Sequence, residues 1–199
     1  MYLSQLKMDL LHPSIRQALK DRQDMHRNLS QAFHGNFLYR LTESSKQPGL
    51  LILSETEPNP EELQKRGYLL QGIQDVNALG EKYQNGSILR FNLLAVPSKK
   101  KKEEGRENSR RVYLSSTESR LEWLKRQGEK YGFDLLEAHE PSIEQTINIS
   151  RKSGSFKITA MEFTGVLKIT DYPLFWRSWE KGIGPEKAYG LGLMLLSKL

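Results

Sequence analysis

Cysteine is absent from the 199 residues, which excludes disulfides, thiolate nucleophiles, iron–sulfur clusters and Cys-ligated zinc together. Histidine is scarce. His12, His26, His34 and His139 are the four imidazoles, and no two have the spacing of a metal-ligand pair. No carboxylate cluster is evident either, so nothing points to metal-assisted hydrolysis and no cofactor or metal is expected. No apolar run approaches the roughly 18 residues of a membrane span. The opening MYLSQLKMDLL is broken by Gln, Lys and Asp where a secretory signal would stay apolar. A cytoplasmic protein without membrane contact is expected. The K/R-G-F/Y-G/A-F signature of an RNA-recognition sheet is also missing.

What is present fits an ordinary globular protein: 37% hydrophobic and 27% charged residues, with a mean hydropathy of −0.61. The length suits one large domain or two small ones. Thirty Lys and Arg stand against twenty-four Asp and Glu, for a net charge of +6, and much of the excess is local. Ser98 to Arg111 holds seven Lys or Arg and three Glu, including Lys99, Lys100, Arg110 and Arg111. A second knot gathers Arg151, Lys152 and Lys157 around a Gly-Ser turn. Charge clustered in this way suits a polyanion partner; a solvated loop is the alternative for either knot alone.

The order of elements repeats. Tyr2 to Met8 reads as a strand, and Pro13 opens a helix with Ile15 and Leu19 four apart. The spacing resumes at Met25, Leu29 and Phe33, with Gly35 as a stop. Asp24 is the expected N-cap of this second piece, which would put His26 in its first turn, where the positive end of the helix dipole favours neutral imidazole. Asn36 to Leu41 and Gly49 to Ser54 read as a strand pair, Pro60 to Lys65 and Ile73 to Leu79 as weak helices, and Ser87 to Val96 as a strand. That order predicts a ferredoxin-like unit over 1–96. After a basic linker, a second unit over 97–199 is expected. Its pieces are a strand over 111–114, a helix over 117–131, a strand over 133–139, and alternating segments 146–151 and 155–170 joined by Lys152-Ser153-Gly154. A helix over 172–181 and a buried strand over 189–196 complete it. The fold class predicted is α+β, two tandem ferredoxin-like domains.

Two segments could carry chemistry. The run from Gly182 through Gly184, Lys187 and Gly190 to Gly192 lacks the GK[ST] of a P-loop, and no strand leads into it. It suits a loop whose backbone approaches a phosphodiester, or else a tight turn in which Gly192 relieves strand packing. His26 lies on the polar side of a helix with Arg27 beside it, which favours function over the commoner role of a lone helical histidine as a surface or packing residue. His34 is better explained as a helix cap, and His12 and His139 as structural residues beside prolines or turns.

The blocks Asp24-Met25-His26-Arg27-Asn28-Leu29, Leu89-Arg90-Phe91-Asn92-Leu93 with Ala95 and Pro97, Phe163-Thr164-Gly165-Val166-Leu167, and Gly182-Ile183-Gly184-Pro185 through Lys187 to Gly190-Leu191-Gly192-Leu193 stand in order at matching separations. Together they resemble the CasE family, the CRISPR RNA-processing endoribonucleases of the type I-E Cascade complex within the repeat-associated (RAMP) superfamily. The likeness runs end to end and is strongest over 1–33, 88–97 and 160–199. It implies two ferredoxin-like domains, binding of the CRISPR repeat hairpin, and metal-independent cleavage at its 3′ base to a 2′,3′-cyclic phosphate and a 5′-hydroxyl. It also implies crRNA and the other Cascade subunits as partners.

The position matching the family's catalytic histidine is His26, with Arg27, Gln23 and Lys187 as candidate phosphate or transition-state stabilisers. Lys99, Lys100, Arg110, Arg111, Arg151, Lys152, Lys157 and the glycines 182, 184, 190 and 192 are the candidate RNA contacts. Two positions depart from the family pattern: Gln23 stands where members carry tyrosine, and Gln31 where they carry a basic residue. An amide orients a phosphate or hydroxyl but is no useful acid. A non-catalytic repeat-RNA-binding subunit is therefore the alternative function.

Overall fold

The computed structural model of the chain describes residues 1–42, 48–77, 82–101, 110–139, 144–151 and 154–199, with the side chains of Arg110, Glu144 and Arg151 outside that description. The first sheet is built from β1 (Tyr2–Met8), β2 (Phe37–Thr42), β3 (Gly49–Ser54) and β4 (Tyr68–Asp75), in the order β2-β3-β1-β4. Helices α1 (Pro13–Lys20) and α2 (Arg22–Leu29) cross between β1 and β2, and the short α3 (Pro60–Gln64) lies between β3 and β4. This is the ferredoxin-like arrangement, each crossover spanning an antiparallel strand that lies between its two ends.

The second sheet repeats it. β5 (Ile88–Ala95), β8 (Phe133–His139), β10 (Gly154–Ile169) and β11 (Met194–Lys198) take the order β11-β5-β10-β8. Helices α4 (Thr117–Tyr131) and α5 (Tyr172–Lys181) are its crossovers. The 16-residue β10 outruns the sheet, and its first half pairs with β9 (Glu144–Arg151) from Gly154↔Arg151 to Met161↔Glu144. Between β5 and α4 a ribbon of β6 (Ser98–Lys101) and β7 (Arg110–Tyr113) is inserted.

Several elements depart from the sequence reading. Ile88–Ala95, expected to close the first unit, pairs with β10 and β11. By pairing, the second unit therefore begins at Ile88, and residue 97 is interior to it. The fourth strand of the first unit is instead β4, which covers Ile73 to Asp75, where a helix was expected. Cross-strand bonding to β1, with Ser4 opposite Ile73 and Tyr2 opposite Asp75, overrides a weak helical propensity. Residues 78 and 79 of that expected helix lie outside the described residues. The basic stretch expected as a linker supplies the two strands of the ribbon. The closing strand starts at Met194 rather than Tyr189, because Lys187–Tyr189 is a 3-10 turn and Gly190 and Gly192 follow at φ 81 and 84.

The core of the first unit packs Ile15, Ala18, Met25 and Leu29 from the helices onto Leu6, Met8, Tyr39, Leu50, Ile52 and Tyr68 from the sheet. The opposite face of that sheet meets the second unit. Leu38 and Leu53 join a core with Phe91, Trp123, Phe163, Phe175 and Trp179. A third small core, with Leu94, Ile147, Ile149, Ile158, Tyr189 and Leu191, underlies the β9–β10 hairpin. Arg40 pins the two units together: its guanidinium donates to Glu162 Oε1 at 2.6 Å and to the Asn92 carbonyl at 3.0 Å. No helix among the described residues is long and apolar enough to cross a membrane.

Candidate active site and nucleic-acid interface

The helix that carries His26 begins earlier than the sequence suggests. Asp21 is in extended backbone, φ −139 and ψ 118, and serves as both the C-cap of α1 and the N-cap of α2, its carboxylate accepting the Gln23 amide at 2.8 Å. Asp24, expected as the cap, lies one turn inside. It accepts from Gln17 Nε2 at 2.8 Å and from Arg27 at 2.7 Å. His26 consequently stands in the last turn, where the helix dipole gives no preference for a neutral ring. Burial supplies that preference instead. The imidazole is half-buried and stacked on Phe37, with ring centroids 5.2 Å apart and planes 19° from parallel. Loss of hydration holds its pKa below the ordinary 6.5.

Phe37 opens the edge strand β2 and lines a cavity of about 460 Å³ that also takes in Asn36, Leu38, Glu55, Lys181 and Lys187. Lys187 belongs to the glycine-rich loop. Its ammonium is held below the ordinary lysine value, first by partial burial and then by the positive charges of Lys130 and Lys181. Glu180 also lines this cavity, so Lys181 and Lys187 share it with two carboxylates. An imidazole that favours its neutral form suits proton abstraction, and the two ammonium groups suit an anionic phosphate.

Two of the glycines show how the loop is held. A Cβ at Gly190 would lie 2.8 Å from the Tyr39 ring, and one at Gly192 would lie 2.8 Å from the Ile183 carbonyl, both at positive φ. Gly182, Gly190 and Gly192 are buried and Gly184 is half-buried. Three of the four expected phosphate contacts therefore face protein, because the loop is folded down onto β2 and α2. Its half-exposed stretch is Gly184 to Ala188.

The other expected residues divide between two places. Gln23, one turn before His26, accepts a hydrogen bond from the Tyr189 hydroxyl at 3.3 Å. Arg27 is exposed on α2 and engaged with Asp24. The cationic residues sit on the second unit. Lys99, Lys100 and Arg111 are exposed on the ribbon, with Lys100 opposite Arg111 and Lys101 opposite Arg110. Like charges facing each other across strands repel, and an anion laid over them relieves the repulsion. Lys157 is exposed on β10 opposite Asn148. The backbone of Arg151 ends β9, and Lys152 lies outside the described residues.

The remaining histidines are engaged locally. The Nδ1 of His12 accepts the Ser14 amide at 3.2 Å and caps α1. His139 Nε2 lies 2.6 Å from Glu137. His34 is exposed, and Thr56 donates to its carbonyl. It lies past the end of α2, which stops at Leu29 with Ser30 as cap, so it caps nothing. Among the described residues, no group of three or more His, Asp or Glu converges as metal ligands would. Phe37, Asp21, Lys181 and Tyr189 enter the site without having been singled out by sequence. Phe37 gives no signal beyond being one aromatic in a strand. Asp21 fits the cap preference equally with Asp24.

The pattern that defines the family described as CRISPR associated protein matches residues 1–198. CRISPR-associated endoribonuclease Cse3 of Thermus thermophilus is 28% identical over 214 residues, covering 98% of this chain and 98% of its own. The structure of CRISPR endoribonuclease Cse3 bound to a 19-nucleotide RNA superposes with a TM-score of 0.86 at 26% identity, over 99% of this chain and 100% of that one. Thermus thermophilus Cse3 bound to an RNA representing a pre-cleavage complex superposes with a TM-score of 0.84 at 26% identity, over 98% of each chain.

Proposed function

Because the chain belongs to the CRISPR associated protein family, we propose that it is a metal-independent endoribonuclease that binds the stem-loop of a CRISPR repeat and cuts precursor crRNA at the 3′ base of the hairpin. It works in the cytoplasm and stays with the mature crRNA as a Cascade subunit. The relatives named as endoribonucleases, one of them held on an RNA before cleavage, support the reaction class. The observation that supports the assignment to residues is the half-buried imidazole of His26 stacked on Phe37, a ring that in turn lines the cavity shared by Lys181 and Lys187.

The chemistry follows from that ring. Neutral His26 accepts the proton of the ribose 2′-hydroxyl, and the freed oxygen attacks the adjacent phosphorus. The O2′–P bond forms and the P–O5′ bond breaks, leaving a 2′,3′-cyclic phosphate. The departing 5′-oxygen takes its proton from a second group, since His26, now carrying the 2′-hydroxyl proton, serves only one of the two transfers at a time. Lys187, its ammonium made more acidic by burial and by Lys130 and Lys181, carries the charge that builds on the phosphoryl oxygens and is the residue best suited to give that proton.

An A-form stem hides its base edges in a deep, narrow groove, so the grip comes mainly from phosphate contacts. The ribbon carrying Lys99, Lys100, Arg110 and Arg111, and the hairpin carrying Arg151, Lys152 and Lys157, supply them.

The test is incubation of the purified protein with its repeat RNA in EDTA, followed by mapping of the product ends. A cyclic phosphate on the upstream fragment and a hydroxyl on the downstream one are expected. Tight binding with the RNA left intact would replace this reading with that of a passive RNA-binding subunit, in keeping with the amide at position 23.

A further inference from the structure

The side chain of Gln23 is held from outside its own helix. The hydroxyl of Tyr189 lies 3.3 Å from Gln23 Oε1. Tyr189 is 4% exposed and closes the 3-10 turn Lys187–Tyr189. That turn is bracketed by Glu186 at φ 61 and Gly190 at φ 81, and its ring is packed in the small core with Leu94, Ile149 and Leu191. The position of the phenol is therefore set by the second unit, while Gln23 and His26, three residues apart on α2, share one helix face.

Resting on the endoribonuclease reading above, we propose that Tyr189 is a positioning residue that fixes which end of the Gln23 amide faces the scissile phosphate. An amide presents an acceptor at one end and two donors at the other. Phosphoryl oxygens are acceptors only, so the productive orientation turns Nε2 toward them, and the flipped orientation sets lone pairs against an anion. With the hydroxyl donating to Oε1, as in the structure, Nε2 is left to donate to the phosphate; in the flipped amide Nε2 would donate to the hydroxyl and Oε1 would face the anion, so the phenol and the phosphate together favour the first orientation. The same contact ties the turn carrying Lys187 to the helix carrying His26, so it helps bring the base and the cation to one substrate.

The experiment is a double-mutant cycle of Tyr189→Phe and Gln23→Ala, read by single-turnover cleavage of the repeat hairpin and by binding of the same hairpin with a 2′-deoxy sugar at the cut. Tyr189→Phe keeps the ring and removes one hydroxyl. The expected result is a cleavage rate lowered about two- to tenfold, the worth of one ordinary hydrogen bond, with affinity unchanged within twofold. Gln23→Ala lowers the rate by at least as much, and the double variant is no slower than Gln23→Ala alone. A merely structural role would multiply the two losses, and that outcome overturns the proposal, as does a Tyr189→Phe protein that cuts at the parent rate. A parent protein that binds but never cuts removes the nuclease reading and this inference with it. A parent that cuts while Tyr189→Phe is indistinguishable from it removes the inference alone.

Discussion

Asp21 and Ser150, 129 positions apart, are joined by the Ser150 amide donating to both oxygens of the Asp21 carboxylate, at 3.3 and 3.1 Å. The same carboxylate caps the helix of His26 through the Gln23 amide. One side chain thus fastens the start of the helix that carries His26 to the end of β9, next to Arg151, one of the proposed RNA contacts. Burial alone would raise the pKa of Asp21. The hydrogen bonds from Ser150 and the Gln23 and Ser150 amides, with the charge of Arg27, outweigh it and hold the carboxyl below its ordinary 3.8.

Replacing Asp21 with alanine removes a cap worth ~1 kcal/mol and strands the Ser150 amide, adding about 1–3 kcal/mol if that amide finds no water. The expected outcome is a lower denaturation midpoint together with a fall in cleavage rate larger than the fall in hairpin affinity. Asp21→Asn, which keeps an acceptor for the cap, recovers part of both. Since the folded pKa is depressed, the carboxylate's contribution is fully present above the unfolded value near 3.8 and is lost as pH falls below it. Urea midpoints compared at about pH 6 and about pH 3 should show the gap between parent and Asp21→Ala narrowing at the lower pH.

His26→Ala should cut at least about a hundredfold more slowly, the usual worth of a general base, while binding the 2′-deoxy hairpin as the parent does. Because burial lowers the pKa of His26, the base limb of the pH–rate profile has its midpoint below 6.5. Exposing the ring by Phe37→Ala moves that midpoint back up toward 6.5. A midpoint that rises above 6.5 in the parent, or stays put in Phe37→Ala, would show that the titrating group is not this imidazole. The stability linkage has the same sign. The folded ring resists protonation, so the unfolded chain binds more protons, and stability contributed above pH 6.5 is lost as pH falls through the folded pKa.

The ferredoxin-like order is legible in the sequence because it rests on local patterns: apolar runs such as Ile88–Ala95 and the Pro13 start of α1. What sequence could not supply was long-range pairing. Nothing local in Ile88–Ala95 says whether it completes one sheet or founds the next. Ile73 to Asp75 became strand only because β1 had an edge to offer. The sequence singles out His26 as the catalyst only through the resemblance, and predicts a preference for the neutral ring, which the lowered pKa matches. The cause differs from the helix-dipole expectation, since a three-residue shift of the cap from Asp24 to Asp21 moves the ring from the favourable end of the dipole into contact with Phe37. The glycines stand out in the sequence as a cluster, but that Gly190 makes room for Tyr39 depends on two units meeting.

The link between the units yields a stability prediction. The Arg40 side chain is 8% exposed and that of Glu162 21% exposed. Burial depresses the pKa of Arg40 despite the attraction of Glu162. Glu162→Ala leaves the guanidinium buried without its counter-charge and should cost about 3 kcal/mol, at the lower end for a broken buried pair. The double replacement Arg40→Met with Glu162→Leu should recover most of that loss, because neither charge then remains to be paired. Equal denaturation midpoints for the single and double variants would show the pair to be solvated.

The ribbon makes the last prediction. Lys100 faces Arg111 and Lys101 faces Arg110 across β6 and β7, and Arg111 also donates to Ser98 at 2.9 Å, so the cations are presented in pairs on a two-stranded arm. A stem gripped mainly through phosphates releases counterions, and affinity should fall linearly on a logarithmic plot against salt, with a slope of about 0.9 per contact on duplex DNA as the guide. Lys100→Ala and Arg111→Ala should each weaken binding to any hairpin of similar length and lower that slope by about one, while leaving the single-turnover rate at saturating protein unchanged. Such separation is expected because the arm is inserted between β5 and α4 of the second unit, whereas His26 rides on α2 of the first. If the slope stays at its parent value in both variants, the arm does not touch the phosphates. The relief of like-charge repulsion would then have to be traced to another anion.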